Sequence, residues 1–213
     1  MSFQGEIQAD GRLKTAFRGG LAEGTNLRTP CGLRRIELIR PGDLIVTRRD
    51  GLLPVRLVWQ REVSGPDMVQ DISLAPVRLK PRAIGPGAPQ SELLLAPDHR
   101  VLVPGFKIEG QARDKPGLVR AQELAGTCAE IQTVCGLQTM RYFQLVFDRH
   151  VVLAANGLPV ESFLANPAAV AALSDEMRTA LVNQFPHLRQ QPNGYPLTGY
   201  PITRRIQYLP YAD

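Results

Sequence analysis

The sequence predicts an all-β fold, and three observations carry that expectation. Apolar and β-branched residues come in short runs, nineteen glycines and eighteen prolines in 213 residues punctuate those runs, and a helical pattern begins only after Phe163. Many short strands at close spacing define a sandwich, a barrel or a related complex β fold. With 44% hydrophobic and 21% charged residues, the chain can bury a core without disulfide staples.

The expected strands are Leu44 to Thr47, Val55 to Trp59, Val77 to Lys80, Leu93 to Leu95, Val101 to Val103, Tyr142 to Phe147 and Val151 to Leu153. Residues 81–89, centred on Gly85-Pro86-Gly87, read as a loop, because proline cannot donate to a ladder. Residues 107–117 read as a second, polar loop. After Phe163, Asn166 precedes Pro167 and an alanine-rich helical turn. Ser174 then supplies an N-cap, with Asp175 and Glu176 in the first turn. Met177, Leu181, Val182 and Phe185 share one apolar helical face, which Pro186 closes. Gln190 to Asp213, rich in Pro and Tyr, is expected to be extended or poorly ordered.

A formal charge of +5 would permit contact with an anionic partner. The basic residues are scattered, however, in runs no longer than a pair such as Arg34-Arg35, so nucleic acid is not an expected partner. No apolar run is long enough to cross a bilayer, and residues 1–20 hold no signal-type apolar core. A cytoplasmic protein without a membrane partner is therefore expected. Cys31, Cys128 and Cys135 are odd in number and form no CxxC pair, which suggests neither a disulfide framework nor a metal site. No cofactor is expected.

Three blocks carry a more specific signal. The first runs Gly20-Leu21-Ala22-Glu23-Gly24-Thr25, then Thr29-Pro30-Cys31-Gly32, then Ile36 to Thr47 with Pro41-Gly42-Asp43 inside it. Pro54 to Trp59 continues it. The second is Leu94-Leu95-Ala96-Pro97-Asp98-His99-Arg100-Val101, and the third runs from Tyr142 to Phe163, with Asp148-Arg149-His150, Asn156-Gly157 and Glu161-Ser162-Phe163. Each alone is bland: Pro41-Gly42-Asp43 is a turn, Asn156-Gly157 a hairpin turn, and a lone histidine beside strands is commonly structural. In this order and spacing they resemble a bacterial Hint domain, the module shared by hedgehog proteins and inteins.

The resemblance implies a horseshoe-like all-β domain over residues 20–163 whose ends meet. An N-terminal segment, 1–19, precedes it, and a helical and extended tail, 164–213, follows. It also implies self-processing, with the chain's own polypeptide as substrate. In the family a cysteine just after the scissile bond attacks the preceding carbonyl and forms a thioester, and a Thr-x-x-His block supplies the histidine that protonates the departing nitrogen. The matching positions here are Gly20 for the cysteine, Ala96 for the threonine and His99 for the histidine, with Asp98 placed to orient the imidazole. Asp148 and His150 belong to the closing block. Ser162 lies about where splicing domains carry the asparagine that cyclises to a succinimide, a reaction serine cannot perform.

Three readings stand at this stage. The first is a Hint domain that has lost processing, a pseudoenzyme retained as a scaffold or interaction module, because glycine offers no thiol. The second is a self-cleaving domain that uses another nucleophile, such as Thr25 or Cys31. The third is a basic β-rich protein that binds an anionic partner.

Overall fold

The computed structural model describes residues 18–189, 199–203 and 208–210. Most of the N-terminal segment and of the segment from Gln190 onward, both considered above, lies outside the described residues. Fourteen short strands dominate. In chain order they are β1 (Leu21–Ala22), β2 (Asn26–Thr29), β3 (Gly32–Arg35), β4 (Leu44–Val46), β5 (Leu52–Pro54), β6 (Leu57–Ser64), β7 (Val77–Leu79), β8 (Leu93–Leu95), β9 (Arg100–Val103), β10 (Gly117–Arg120), β11 (Ile131–Thr133), β12 (Thr139–Val146), β13 (Val152–Ala155) and β14 (Leu158–Glu161).

They form two six-stranded sheets and one hairpin. The first sheet runs β11-β7-β8-β1-β12-β6, the second β10-β9-β14-β13-β2-β3, and β4-β5 form the hairpin. Every strand pairing is antiparallel. The longest ladder, β6 with β12, runs in unbroken register from Leu57↔Val146 to Ser64↔Thr139.

The chain passes from the first sheet to the second at three corners. These are Glu23–Thr25 between β1 and β2, Ala96–His99 between β8 and β9, and Phe147–Val151 between β12 and β13. Leu27, Ile45, Leu79, Leu95, Phe147, Leu153 and Val160 belong to the main apolar core. The Asn156-Gly157 pair forms the β13–β14 hairpin turn, with φ of 47° and 82°; both values are left-handed, as this two-residue turn requires.

Side chains alternate along β6 and β12, so Trp59, Val63, Tyr142 and Val146 turn away from Phe143 and Leu145 into a second core. Two helices cover that face, Pro167–Ala171 and Asp175–Gln184. Asn166 and Ser174 cap them by accepting from the Ala169 and Met177 amides. Met177, Leu181 and Phe185 pack on the sheet, and Phe163 meets Trp59 edge to face at 4.9 Å. Each such buried side chain contributes roughly 1.5–3 kcal/mol.

The structure departs from the sequence reading in element bounds and in number. The strand read as Val55 to Trp59 starts at Leu57 and runs to Ser64, because Gln60 and Glu62 sit on its more exposed positions while Arg61 is buried. The polar loop 107–117 ends where β10 begins at Gly117. The Ser64-capped helix Gly65–Gln70 and the short strands β1 to β3, β5, β10, β11 and β14 were not expected. Among the described residues, no helix is long and apolar enough to cross a membrane.

Candidate functional site

Strand β1 lies between β8 and β12, pairing Leu21 with Leu95 on one side and with Phe143 on the other. Gly20 immediately precedes it and is buried. The Ala96 amide donates to the Gly20 carbonyl at 2.9 Å, one step beyond the β1–β8 ladder. There β8 ends in a tight turn, Ala96-Pro97-Asp98-His99, closed by the His99 amide donating to the Ala96 carbonyl at 2.9 Å. Proline at the second position presets that turn. The turn swings the imidazole back, and the Gly20 N–H donates to His99 Nδ1 at 3.1 Å. One four-residue turn thus holds both polar groups of Gly20.

His99 is 1% exposed. Burial lowers its imidazole from 6.5 to about 4; Glu161 opposes the change and Arg100 adds to it. The ring is neutral at pH 7, and because Nδ1 accepts from Gly20, the proton sits on Nε2, which has no hydrogen-bond partner among the described residues.

A charged network lies behind it. Glu161, at the end of β14, accepts from the Arg100 amide at 3.1 Å and from Arg100 Nη1 at 3.0 Å, and contacts His150 Nε2 at 3.1 Å. Burial pushes the Glu161 carboxyl up, but the His150 hydrogen bond and Arg100 outweigh it and hold the group below its ordinary range. Ser162 Oγ accepts from the Val151 amide at 2.9 Å, tying the end of β14 to the β12–β13 corner.

A cleft of about 280 Å³ opens beside the Gly19–Gly20 peptide, lined by Arg18, Gly19, Asp98, Arg100, Gln144, Glu161 and Ser162 among others. The start and the end of the β domain therefore face one space. Gly20, Ala96 and His99 come together directly, whereas His150 contacts none of them and does not line the cleft; it meets Glu161, whose carboxylate accepts from the amide of Arg100, the residue after His99. Asp98 does not orient the imidazole, whose Nδ1 faces Gly20; its carboxylate accepts from Gln122 at 2.8 Å and lies near Arg120 and Arg18. Asp148 forms a two-pronged ion pair with Arg56 at a half-exposed edge. Thr25 spends its hydroxyl on the Ala22 carbonyl at 2.7 Å, and Cys31 is exposed in the β2–β3 turn and does not line the cleft.

Sequence reasoning missed Arg61 and Gln144. Both are buried, on the face of β6 and β12 that carries Trp59 and Tyr142. Arg61 donates to the Arg18 carbonyl at 3.4 Å and stacks over the Tyr142 ring; burial lowers its guanidinium to about 10, which leaves it cationic at neutral pH. The available signal was position: each occupies the inward phase of an alternating strand. Among the described residues, no group of three or more His, Cys, Asp or Glu is arranged to hold a metal.

A two-sheet β module with crossing corners brings the residues before its first strand and the end of its last strand to one cleft, with a buried histidine accepting from the Gly20 amide beside it. The chain belongs to the Hint domain family, whose model matches residues 20–167. That match covers both six-stranded sheets and the site. The family comprises hedgehog- and intein-type autoprocessing domains.

The chain is also similar to several solved structures at low identity. A bacterial intein-like domain from Clostridium thermocellum is 17% identical, with a TM-score of 0.43, over 68% of this chain and 99% of that one. The MchDnaB-1 intein is 14% identical, with a TM-score of 0.41, over 66% and 98%. The gp41-1 intein is 14% identical, with a TM-score of 0.36, over 67% and 97%. No curated protein matches the sequence.

Proposed function

We propose that this chain is a Hint domain that keeps the grip on its entry junction and has lost the acyl shift, so that it acts as a folded scaffold or interaction module. The observation that carries this reading is Gly20. It has no side chain, and its φ of 131° lies where L residues are rarely found. A thiol is absent from the one place where a five-membered ring could close on the Gly19 carbonyl, and the backbone there has settled into a shape that disfavours any side chain. The loss is conformational as well as chemical.

The neighbouring groups support the same reading. Ala96 supplies its amide to the Gly20 carbonyl but no hydroxyl to the junction. His99 accepts from the Gly20 N–H and holds that nitrogen, the part of the machinery that is kept. Thr25 is committed to Ala22, and Cys31 lies outside the cleft lining, so neither replaces the missing thiol. Ser162 cannot form the succinimide that releases a downstream segment.

The test is the intact mass of the purified chain after incubation with dithiothreitol or hydroxylamine. The expected result is one species at the full 23.5 kDa. Release of residues 1–19 would show that an unassigned nucleophile forms an ester or thioester at this junction, and would refute the reading.

A further inference from the structure

Three buried groups converge on residue 19 from three different strands and corners. His99, from the β8–β9 turn, holds the nitrogen that follows Gly19. Arg61, from β6, donates to the carbonyl that precedes it. Gln144, from β12, is 5% exposed, lines the cleft, and has an Oε1 with no hydrogen-bond partner among the described residues. A Cβ built on Gly19 would lie 3.2 Å from that Oε1 and 3.5 Å from His99 Nδ1. The first distance is tighter than ordinary van der Waals contact, and both atoms are polar. Gln144 and Arg61 stand diagonally on one face of the β6–β12 ladder, where Gln144 pairs with Trp59 and Arg61 with Tyr142. That ladder is the longest among the described strands, and both side chains are mounted on it.

We propose that Gln144 and Arg61 form a glycine-selective subsite for residue 19, which keeps the 18–20 backbone seated across the cleft by admitting a peptide with no side chain at that position. The proposal rests on reading the 19–20 peptide as the entry junction, and it assigns two positioning residues and a specificity to that junction. Arg61 fixes the chain upstream of Gly19 through a backbone carbonyl, which any residue at position 18 provides. His99 fixes it downstream through a backbone amide. Selectivity therefore falls on the central residue alone, where a Cβ would press on the Gln144 amide by a few tenths of an ångström. Burying a polar amide atom without a partner is unfavourable, and a structural residue at that position could be apolar at no cost to the core.

The test uses the full chain and two readouts. The first is thermal unfolding of Gly19→Val, Gln144→Ala and the double variant. Removing the amide reopens the space that valine needs, so the double variant should unfold at a higher temperature than Gly19→Val alone. A double variant at or below Gly19→Val would overturn the subsite. The second readout is native-state trypsin cleavage after Arg18, followed by mass spectrometry. Arg61→Gln should speed that cleavage about fivefold, the change expected when one net hydrogen-bond-sized contribution is taken from a local opening equilibrium. Val63→Ala, which weakens the same strand two residues away, should not. Equal acceleration by Val63→Ala would reduce the effect to general loosening and overturn the proposal. Neither readout requires the domain to cut itself. Thiol-induced release before Gly20 would refute the proposed function, while the subsite would still stand or fall on these two measurements.

Discussion

Acid should unlatch the entry junction before it unfolds the rest of the domain, and His99 is the reason. Its imidazole is lowered to about 4 from 6.5 by burial. A histidine with a depressed folded value stabilises the protein above its unfolded value, and that stability is lost as pH falls toward the folded value. Between those limits the unfolded chain takes up a proton that the folded chain refuses. The loss amounts to about 2 kcal/mol by pH 5 and about 3 kcal/mol by pH 4, at 1.36 kcal/mol per pH unit. Geometry adds to it, because a proton on Nδ1 would set two donors face to face across the 3.1 Å contact with the Gly20 N–H. Glu161 also loses stability in acid, but only as pH falls below its ordinary value of 4.5, so the window from about pH 7 to pH 5 leaves Glu161 out, and comparison with the variant assigns the remainder to position 99. The assay is urea unfolding across that window for the natural chain and for His99→Gln, with amide exchange at Gly20 followed in parallel. The natural chain should lose about 2 kcal/mol more than the variant. Equal slopes for the two chains would refute the assignment of a buried neutral imidazole at position 99.

Other outcomes follow from the same geometry. Gly20→Cys restores a thiol but places a side chain at a φ of 131°, so it should cost about 1–3 kcal/mol of stability and give only partial thiol-dependent release of residues 1–19, read by mass spectrometry. Adding Ala96→Thr should increase that release, and adding His99→Ala should abolish it. Glu161→Gln leaves Arg100 without its buried counter-charge and should lower stability by about 3 kcal/mol in chemical denaturation. Trp59→Ala empties the centre of the helix-covered core and should cost about 3–5 kcal/mol by the same assay. Asp148→Asn breaks only the half-exposed pair with Arg56 and should leave the unfolding temperature nearly unchanged.

The blocks that carried the family resemblance are the parts of the site that were legible in the sequence. Pro97 and His99 lie in one local turn, so their spacing alone encodes how the imidazole returns to the strand it left. Asn156-Gly157 likewise encodes its own hairpin. Asp98 was misjudged for a physical reason: adjacency in sequence places its side chain beside Gln122 and Arg120, not on the ring of its neighbour. Arg61 and Gln144 were illegible because a charged or amide residue in a strand reads as a solvent-facing position. Their place on the same strand face as Trp59 and Tyr142, which the helices Pro167–Ala171 and Asp175–Gln184 cover, is what reverses the assignment. The two-residue strand β1 was missed because Leu21-Ala22 has no pattern of its own; its conformation is imposed by β8 and β12, more than seventy and one hundred and twenty residues away.

That placement of β1 bears on how the protein is made. The first sheet consists of a β11-β7-β8 block and a β12-β6 block, and Leu21-Ala22 is the seam between them. Those two residues are the first strand of the module to be made, yet Tyr142 and Phe143, their partners on one side, emerge more than a hundred residues later. Until then the seam has one border at most, and the peptide around Gly20 cannot be seated. Anything carried upstream of this domain therefore leaves the ribosome and begins to fold while the junction is still open. The junction closes only when synthesis of the module is nearly complete.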